Sequence, residues 1–253
     1  MLLLQTCFTS AVRKLVFYRS FSRHTKMESL ALILEPYQDL VGNIAAIVTI
    51  GQMFSGSFLC YDIYKQSNTE GVGIVPFTGG LVMALLNLKY GFILRDDNII
   101  RVSFAGTALN IIYLMIYYHY SSEKQKVWGS LGLSGAVAAA LLGYAQYEDP
   151  NLIEFRFGLI ITVLMFYLIG EPLFGIREIV AKQSTEGMPF PIILSGTVVT
   201  SSWLLYGIIL RNHFMIIQNV VALILCAIQL SLFVIYPSRP KGEDRKPKTK
   251  KID

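Results

Sequence analysis

Seven apolar stretches of roughly twenty residues, separated by short polar connections, run from residue 40 to residue 236. They fall at 40–61, 74–94, 99–120, 127–147, 157–180, 190–210 and 214–236. A run of that length spans the hydrocarbon core of a bilayer when it is helical. The alternating ten-residue segments of a barrel are absent, so the pattern predicts helices. Arg95-Asp96-Asp97-Asn98 and Arg211-Asn212-His213 read as tight polar turns, and Pro150 interrupts the fourth-to-fifth connection.

The pattern repeats. Shifting the chain by 116 places residues 69–120 on residues 185–236 without a gap, and 16 of the 52 paired positions are identical. Thr69-Glu70-Gly71 falls on Thr185-Glu186-Gly187, Tyr90-Gly91 on Tyr206-Gly207, and Ile93-Leu94-Arg95 on Ile209-Leu210-Arg211. Shared apolar bias does not produce such blocks, so the chain contains a duplication. Spans 1–3 correspond to spans 5–7, and the fourth stands alone. An odd connecting span keeps the two triplets in one orientation, which predicts parallel repeats in a 3+1+3 plan with a substrate held between them. The fourth span is rich in Gly, Ala and Ser, as expected of a helix packed closely against both halves.

Composition adds to this. The chain is 53% hydrophobic and 15% charged, with mean hydropathy +0.51, against about 25% charged in a soluble domain. The fold class is therefore an all-α integral membrane protein of seven transmembrane helices. Its organisation reads as an N-terminal extension (1–39), a first repeat (40–120), a linker (121–156), a second repeat (157–237) and a basic tail (238–253). Seven spans place the termini on opposite sides. The tail from Arg239 to Lys251 carries seven Lys or Arg residues, which predicts a cytoplasmic C-terminus and a solvated, disordered tail. Arg13, Lys14, Arg19, Arg23 and Lys26 lie in an acid-free stretch that conflicts with that topology. Two readings fit it: a transit-like segment, or an extension bypassed by a start at Met27.

Chemistry-bearing residues are few. Cys7, Cys60 and Cys226 have no metal or redox spacing. His24, His119 and His213 are dispersed, and neither a phosphate loop nor a nucleophile motif occurs. No enzyme, cofactor, metal or nucleic-acid partner is expected. Pro172 lies inside the fifth span, where proline removes a hydrogen bond and bends a helix. Pro76, Pro189 and Pro191 lie near span starts, where proline is well tolerated. Polar side chains at membrane depth need a reason. Asn87 with Trp203, and Ser103 with Asn219, occupy two matched repeat positions. A cavity between the halves would be lined from such pairs. Trp203 offers a flat face to the C–H surface of a sugar, and Asn219 offers donors and acceptors to hydroxyls. Packing and interhelical hydrogen bonding compete as roles for both. Lys89 and Glu171 are the deepest ionisable residues. They fit an ion pair or a proton-linked cycle, and Lys89 also fits a snorkelling role.

These features resemble the SWEET family of sugar transporters, in particular its animal branch. The likeness covers roughly residues 40–237. It rests on the segment from Tyr61 to Gly71, echoed from Ile179 to Phe190; on Ser202-Trp203-Leu204-Leu205-Tyr206-Gly207; and on Gln218-Asn219, the Asn lying twelve residues beyond Gly207. The resemblance implies a facilitative carrier of mono- or disaccharides that often assembles as homo-oligomers. It implies that Asn87, Ser103, Trp203 and Asn219 line the sugar pocket. It also implies hinges at Pro76, Pro172 and Pro189, with Gly56 near the place of a fourth proline. The first repeat departs from the family pattern at Asn87, Ser103 and Gly56, and Asn87 is placed to supply the amide that Ser103 lacks. The expected location is the plasma membrane, with the Golgi as a second site. Two alternatives stand beside the sugar carrier: an organellar carrier of small carboxylates, for which Lys89 is the candidate cation, and a membrane scaffold without transport.

Overall fold

A computed structural model describes residues 28–185 and 188–236, with the side chains at 169–175, 178 and 182 set aside. The N-terminal extension up to residue 27, with Cys7 and His24, and the basic tail from 237 lie outside the described residues, as does the Glu171 side chain. The described residues form helix α1 (28–34), a single 3-10 turn (Glu35–Tyr37), and helices α2 (Gln38–Met53), α3 (Gly56–Gln66), α4 (Val75–Leu94), α5 (Asp97–Tyr120), α6 (Lys124–Tyr147), α7 (Ile153–Lys182), α8 (Phe190–Ile209) and α9 (His213–Ile235). The segment Glu28–Gln66 and helices α4, α5, α6, α8 and α9 are each long and apolar enough to cross a membrane, and the 30-residue α7 completes seven spans.

The first span differs from its sequence reading. It continues to Gln66 and is broken at Phe54–Ser55. There the backbone tightens to three-residue hydrogen bonds, with Ser57 N–H donating to the Phe54 carbonyl at 2.9 Å. The Met53 carbonyl thereby loses its helical donor. Tyr113 of α5 replaces it, donating its hydroxyl to that carbonyl at 3.0 Å, and the same hydroxyl lies 3.2 Å from Ser57 Oγ. A Cβ on Gly56 would stand 2.6 Å from the Tyr113 ring, so the glycine permits this close approach. The prolines behave differently: α7 runs uninterrupted across Pro172. Pro76 lies in the first turn of α4 and Pro191 in that of α8, while Pro189 is the residue preceding α8.

Duplication is visible in the backbone. Among the described residues, the non-glycine positions with left-handed φ are Ser67 and Gln183, and Arg95 and Arg211, each pair offset by 116. Each terminates a helix or follows its end, where this conformation lets the chain turn sharply. Asp96 and Asn212, again a matched pair, cap α5 and α9 by accepting from Ile99 N–H at 2.9 Å and Met215 N–H at 3.0 Å. Within the halves, α4 lies along α5 and α8 along α9. Between the halves, α2 meets α8 and α4 meets α7. The second contact is the repeat image of the first, as a two-fold relation between parallel triplets requires.

Helix α6 overturns the expectation drawn from its small residues. It rests mainly on α4, and its buried positions are Val127, Ala138 and Ala145 alone. A Cβ at Gly129, Gly132, Gly135 or Gly143 would meet nothing within 4 Å. The glycines therefore do not serve close packing within the chain. The seam uses alanine and valine, and the glycines face outward.

Candidate functional site

Between the triplets lies a cavity of about 390 Å³, lined by α2, α4, α5, α7, α8 and α9 and by nothing from α6. Fourteen lining residues fall into seven pairs offset by 116: Thr49 with Met165, Met83 with Val199, Ala84 with Thr200, Asn87 with Trp203, Ile99 with Met215, Val102 with Gln218, and Ser103 with Asn219. The two-fold relation therefore passes through the cavity. All four residues singled out from the sequence line it. Among the described lining residues, none carries a formal charge.

The polar groups are held in specific ways. Asn87 donates Nδ2 to the Met83 carbonyl at 2.9 Å, and Asn219 donates Nδ2 to the Met215 carbonyl at 2.8 Å. A carbonyl accepts only from the amide nitrogen, so each bond fixes the amide and leaves Oδ1 and one N–H to spare. Trp203 donates its indole N–H to Thr49 Oγ1 at 2.7 Å, and Thr49 donates its proton to the Ala45 carbonyl at 2.6 Å. The indole is thus oriented by a hydroxyl from the other half. Gln218 donates to Thr162 Oγ1 at 2.6 Å. Ser103 is almost fully buried, at 4% exposure. Lys89 does not line the cavity. Its ammonium lies 3.5 Å from Gln146 Oε1 on α6, which takes away the cation that a carboxylate carrier needed.

At the end bearing the Arg95 and Arg211 turns, the two halves are bonded together. Tyr206 donates its hydroxyl to Asp96 Oδ2 at 2.5 Å and accepts from Asn98 Nδ2 at 3.2 Å. In the repeat image, Asn212 Nδ2 donates to the Tyr90 hydroxyl at 3.0 Å. Both tyrosines are buried. Gly42 and its image Gly158 admit them: an added Cβ would stand 2.8 Å from the Tyr206 ring in one case and 2.9 Å from the Tyr90 hydroxyl in the other. Ile99, Tyr206 and Met215 seal the same end with apolar contact. The cavity is therefore closed toward the turns.

The sequence reading missed Thr49, Gln218, Thr162 and the tyrosine seam as site residues. The tyrosines carried a signal, being identical in both repeats beside the matched Asp96 and Asn212. Thr49 and Thr162 carried none, because they lie outside the stretch whose repetition is readable.

The comparisons with known proteins agree with this architecture. The family model described as "Sugar efflux transporter for intercellular exchange" matches twice, at residues 39–125 and 155–241. The chain belongs to the SWEET family of sugar transporters. Among its SWEET relatives is Sugar transporter SWEET1 of Drosophila pseudoobscura pseudoobscura, 30% identical over 79% of this chain and 90% of that protein. The mouse Sugar transporter SWEET1 is 26% identical over 81% and 93%. Bidirectional sugar transporter SWEET13 of rice is 26% identical over 74% and 67%. A solved eukaryotic SWEET transporter superposes with a TM-score of 0.74 at 24% identity, covering 81% of this chain and 98% of that one, which establishes the shared fold. The seven-span, 3+1+3 reading is borne out, as is a carrier rather than an enzyme.

Proposed function

We propose that this chain is a sugar uniporter that moves mono- or disaccharides down their gradient by alternating access, with Trp203, Asn219, Asn87 and Ser103 contacting the sugar. One observation carries the reading: a cavity on the two-fold relation whose described lining is uncharged, with spare amide groups and an indole face, in a member of a sugar-transporter family. Spare amide donors and acceptors suit hydroxyls, and the indole face suits a C–H surface. A described lining without charge suits a neutral solute. The triplets rock about the Gly56 break and about Pro76, Pro172 and Pro189. The C-terminus is cytoplasmic, the resident membrane is the plasma membrane with the Golgi as a second site, and the chain assembles as homo-oligomers.

The test is radiolabelled glucose uptake and efflux in cells lacking their own sugar carriers. Flux in both directions is expected. Trp203→Ala and Asn219→Ala should each weaken apparent affinity by roughly ten-fold, since a lost polar contact strands its partner at a cost of about 1–3 kcal/mol. Normal transport by well-expressed variants would refute the assigned contacts. Surface expression of wild type without flux of glucose or any disaccharide would favour the scaffold.

A further inference from the structure

The two halves differ at one pair of positions. Gly56 of the first corresponds to Pro172 of the second, and Tyr113 to Gln229, each offset by 116. The helix that carries the proline, α7, runs on unbroken, while the span that carries the glycine is broken at Phe54–Ser55. The break therefore arises from something other than a missing N–H. Tyr113 is buried, meets Phe77 of α4 edge-on at 6.4 Å and packs onto the backbone at Gly56. Its hydroxyl has one proton, which goes to the Met53 carbonyl at 3.0 Å, so across the 3.2 Å to Ser57 Oγ the serine donates. Ser57 N–H, which a regular helix gives to the Met53 carbonyl four residues back, goes instead to the Phe54 carbonyl at 2.9 Å. A straight arrangement pairs the same groups: Ser57 N–H returns to the Met53 carbonyl, and Tyr113 turns its hydroxyl to donate to Ser57 Oγ. Neither arrangement strands a buried donor, so the break can exist in two states. Met53 itself lines the cavity and packs on Gly106 of α5, which links the bend to the cavity wall.

We propose that Tyr113 is a positioning residue for transport: its hydroxyl holds the first span bent while the tyrosine seam is closed, and the span straightens between Met53 and Ser57 when the seam opens. On one side of the break, α2 reaches the seam through Gly42, beside Tyr206. On the other, α3 reaches the opposite end, where the chain turns into α4. A change of bend therefore moves the two ends of the first half relative to each other. This inference rests on the alternating-access reading above.

The test places pairs of spin labels on the full chain in proteoliposomes, with Cys7, Cys60 and Cys226 replaced by alanine. Labels at residues 47 and 64, exposed positions on α2 and α3, read the bend; in a separate sample, labels at 95 and 211 read the seam. A straight helix separates the first pair by about 26 Å along its axis, and the bend shortens that distance. In Tyr113→Phe the bent form leaves the Met53 carbonyl without the tyrosine's proton, while in the straight form Ser57 N–H supplies one. The long 47–64 population should therefore rise about five-fold, and the long 95–211 population should rise with it. Gly56→Ala, which displaces the ring, should act in the same direction. Retained glucose binding shows that each variant is folded. An unchanged 47–64 distribution in both variants, or one that lengthens while 95–211 stays fixed, would overturn the role of Tyr113 and leave the carrier standing. A wild type that carries no glucose, and whose 95–211 distance never changes with the sugar on either side, would overturn alternating access as well.

Discussion

Trp203 shows what a single residue's surroundings add to its identity. Its repeat position beside Asn87 marked it as a cavity residue, but its orientation depends on Thr49, which accepts the indole N–H at 2.7 Å. A threonine in an apolar helix commonly bonds its own i−4 carbonyl, as Thr49 does to Ala45, so nothing in the sequence separates it from other span threonines. Thr49→Val removes the acceptor at constant shape and strands a part-buried donor, at the lower end of the about 1–3 kcal/mol that a fully buried one costs. Sugar affinity should fall roughly five- to ten-fold, and Thr49→Ser should restore it. The chain has two tryptophans. In a Trp128→Phe background the remaining emission therefore reports Trp203, and should shift in the valine variant and return in the serine variant. A serine variant that behaves like valine would show that the hydroxyl does not set the ring.

At the scale of elements, contacts between helices turn on small features. Gly42 admits Tyr206 to the surface of α2, and a Cβ there would also stand 2.3 Å from Asn98 Nδ2. Gly42→Ala should lower the melting temperature, with an overpacking cost of about 1–3 kcal/mol. Gly51→Ala, on the same helix with nothing within 4 Å of its Cβ, should be neutral or slightly stabilising. Equal effects at the two positions would remove the tyrosine contact as the cause. The α6–α7 connection makes a different prediction. Glu148 accepts from the Tyr144 hydroxyl, from Arg156 at 2.8 Å and from Asp149 N–H at 3.0 Å, and these bonds hold its carboxyl at about 2. A depressed carboxylate stabilises the fold above its unfolded pKa of about 4.3 and loses that contribution as pH falls through about 2. The melting temperature of wild type should therefore exceed that of Glu148→Gln at pH 6, with the gap closing by pH 2. A gap that does not change with pH would assign the effect to packing.

At the scale of the molecule, the seam of Tyr206 with Asp96 and Tyr90 with Asn212 closes one end of the cavity. Each bond joins one half to the other, so the seam must break whenever that end opens. Tyr206→Phe with Tyr90→Phe should remove about 2 kcal/mol together and raise the open-to-closed ratio roughly thirty-fold. Spin labels at residues 95 and 211, one on each half, should show a longer distance distribution in the double variant. An unchanged distribution would mean that the apolar contact of Ile99, Met215 and their neighbours holds the end shut without the hydroxyls.

The sequence by itself determined the number of spans, their helical nature, the duplication and the 3+1+3 plan. Those follow from bilayer thickness and from a self-similarity that one chain displays on its own. It also determined the matched positions of Asn87, Ser103, Trp203 and Asn219, because duplication places equivalent residues around one axis. The tertiary structure decided which polar groups meet across that axis. Thr49 and Trp203 are 154 positions apart, and Tyr206 and Asp96 are 110 apart. Such pairings depend on how α2 and α5 lie against α8, which no local pattern encodes. It also decided that the break in the first span falls at Phe54–Ser55, where Tyr113 supplies the missing donor, while α7 continues across Pro172. The linker's glycines, read as a packing surface, face outward because only the assembled helices settle which side of α6 is covered.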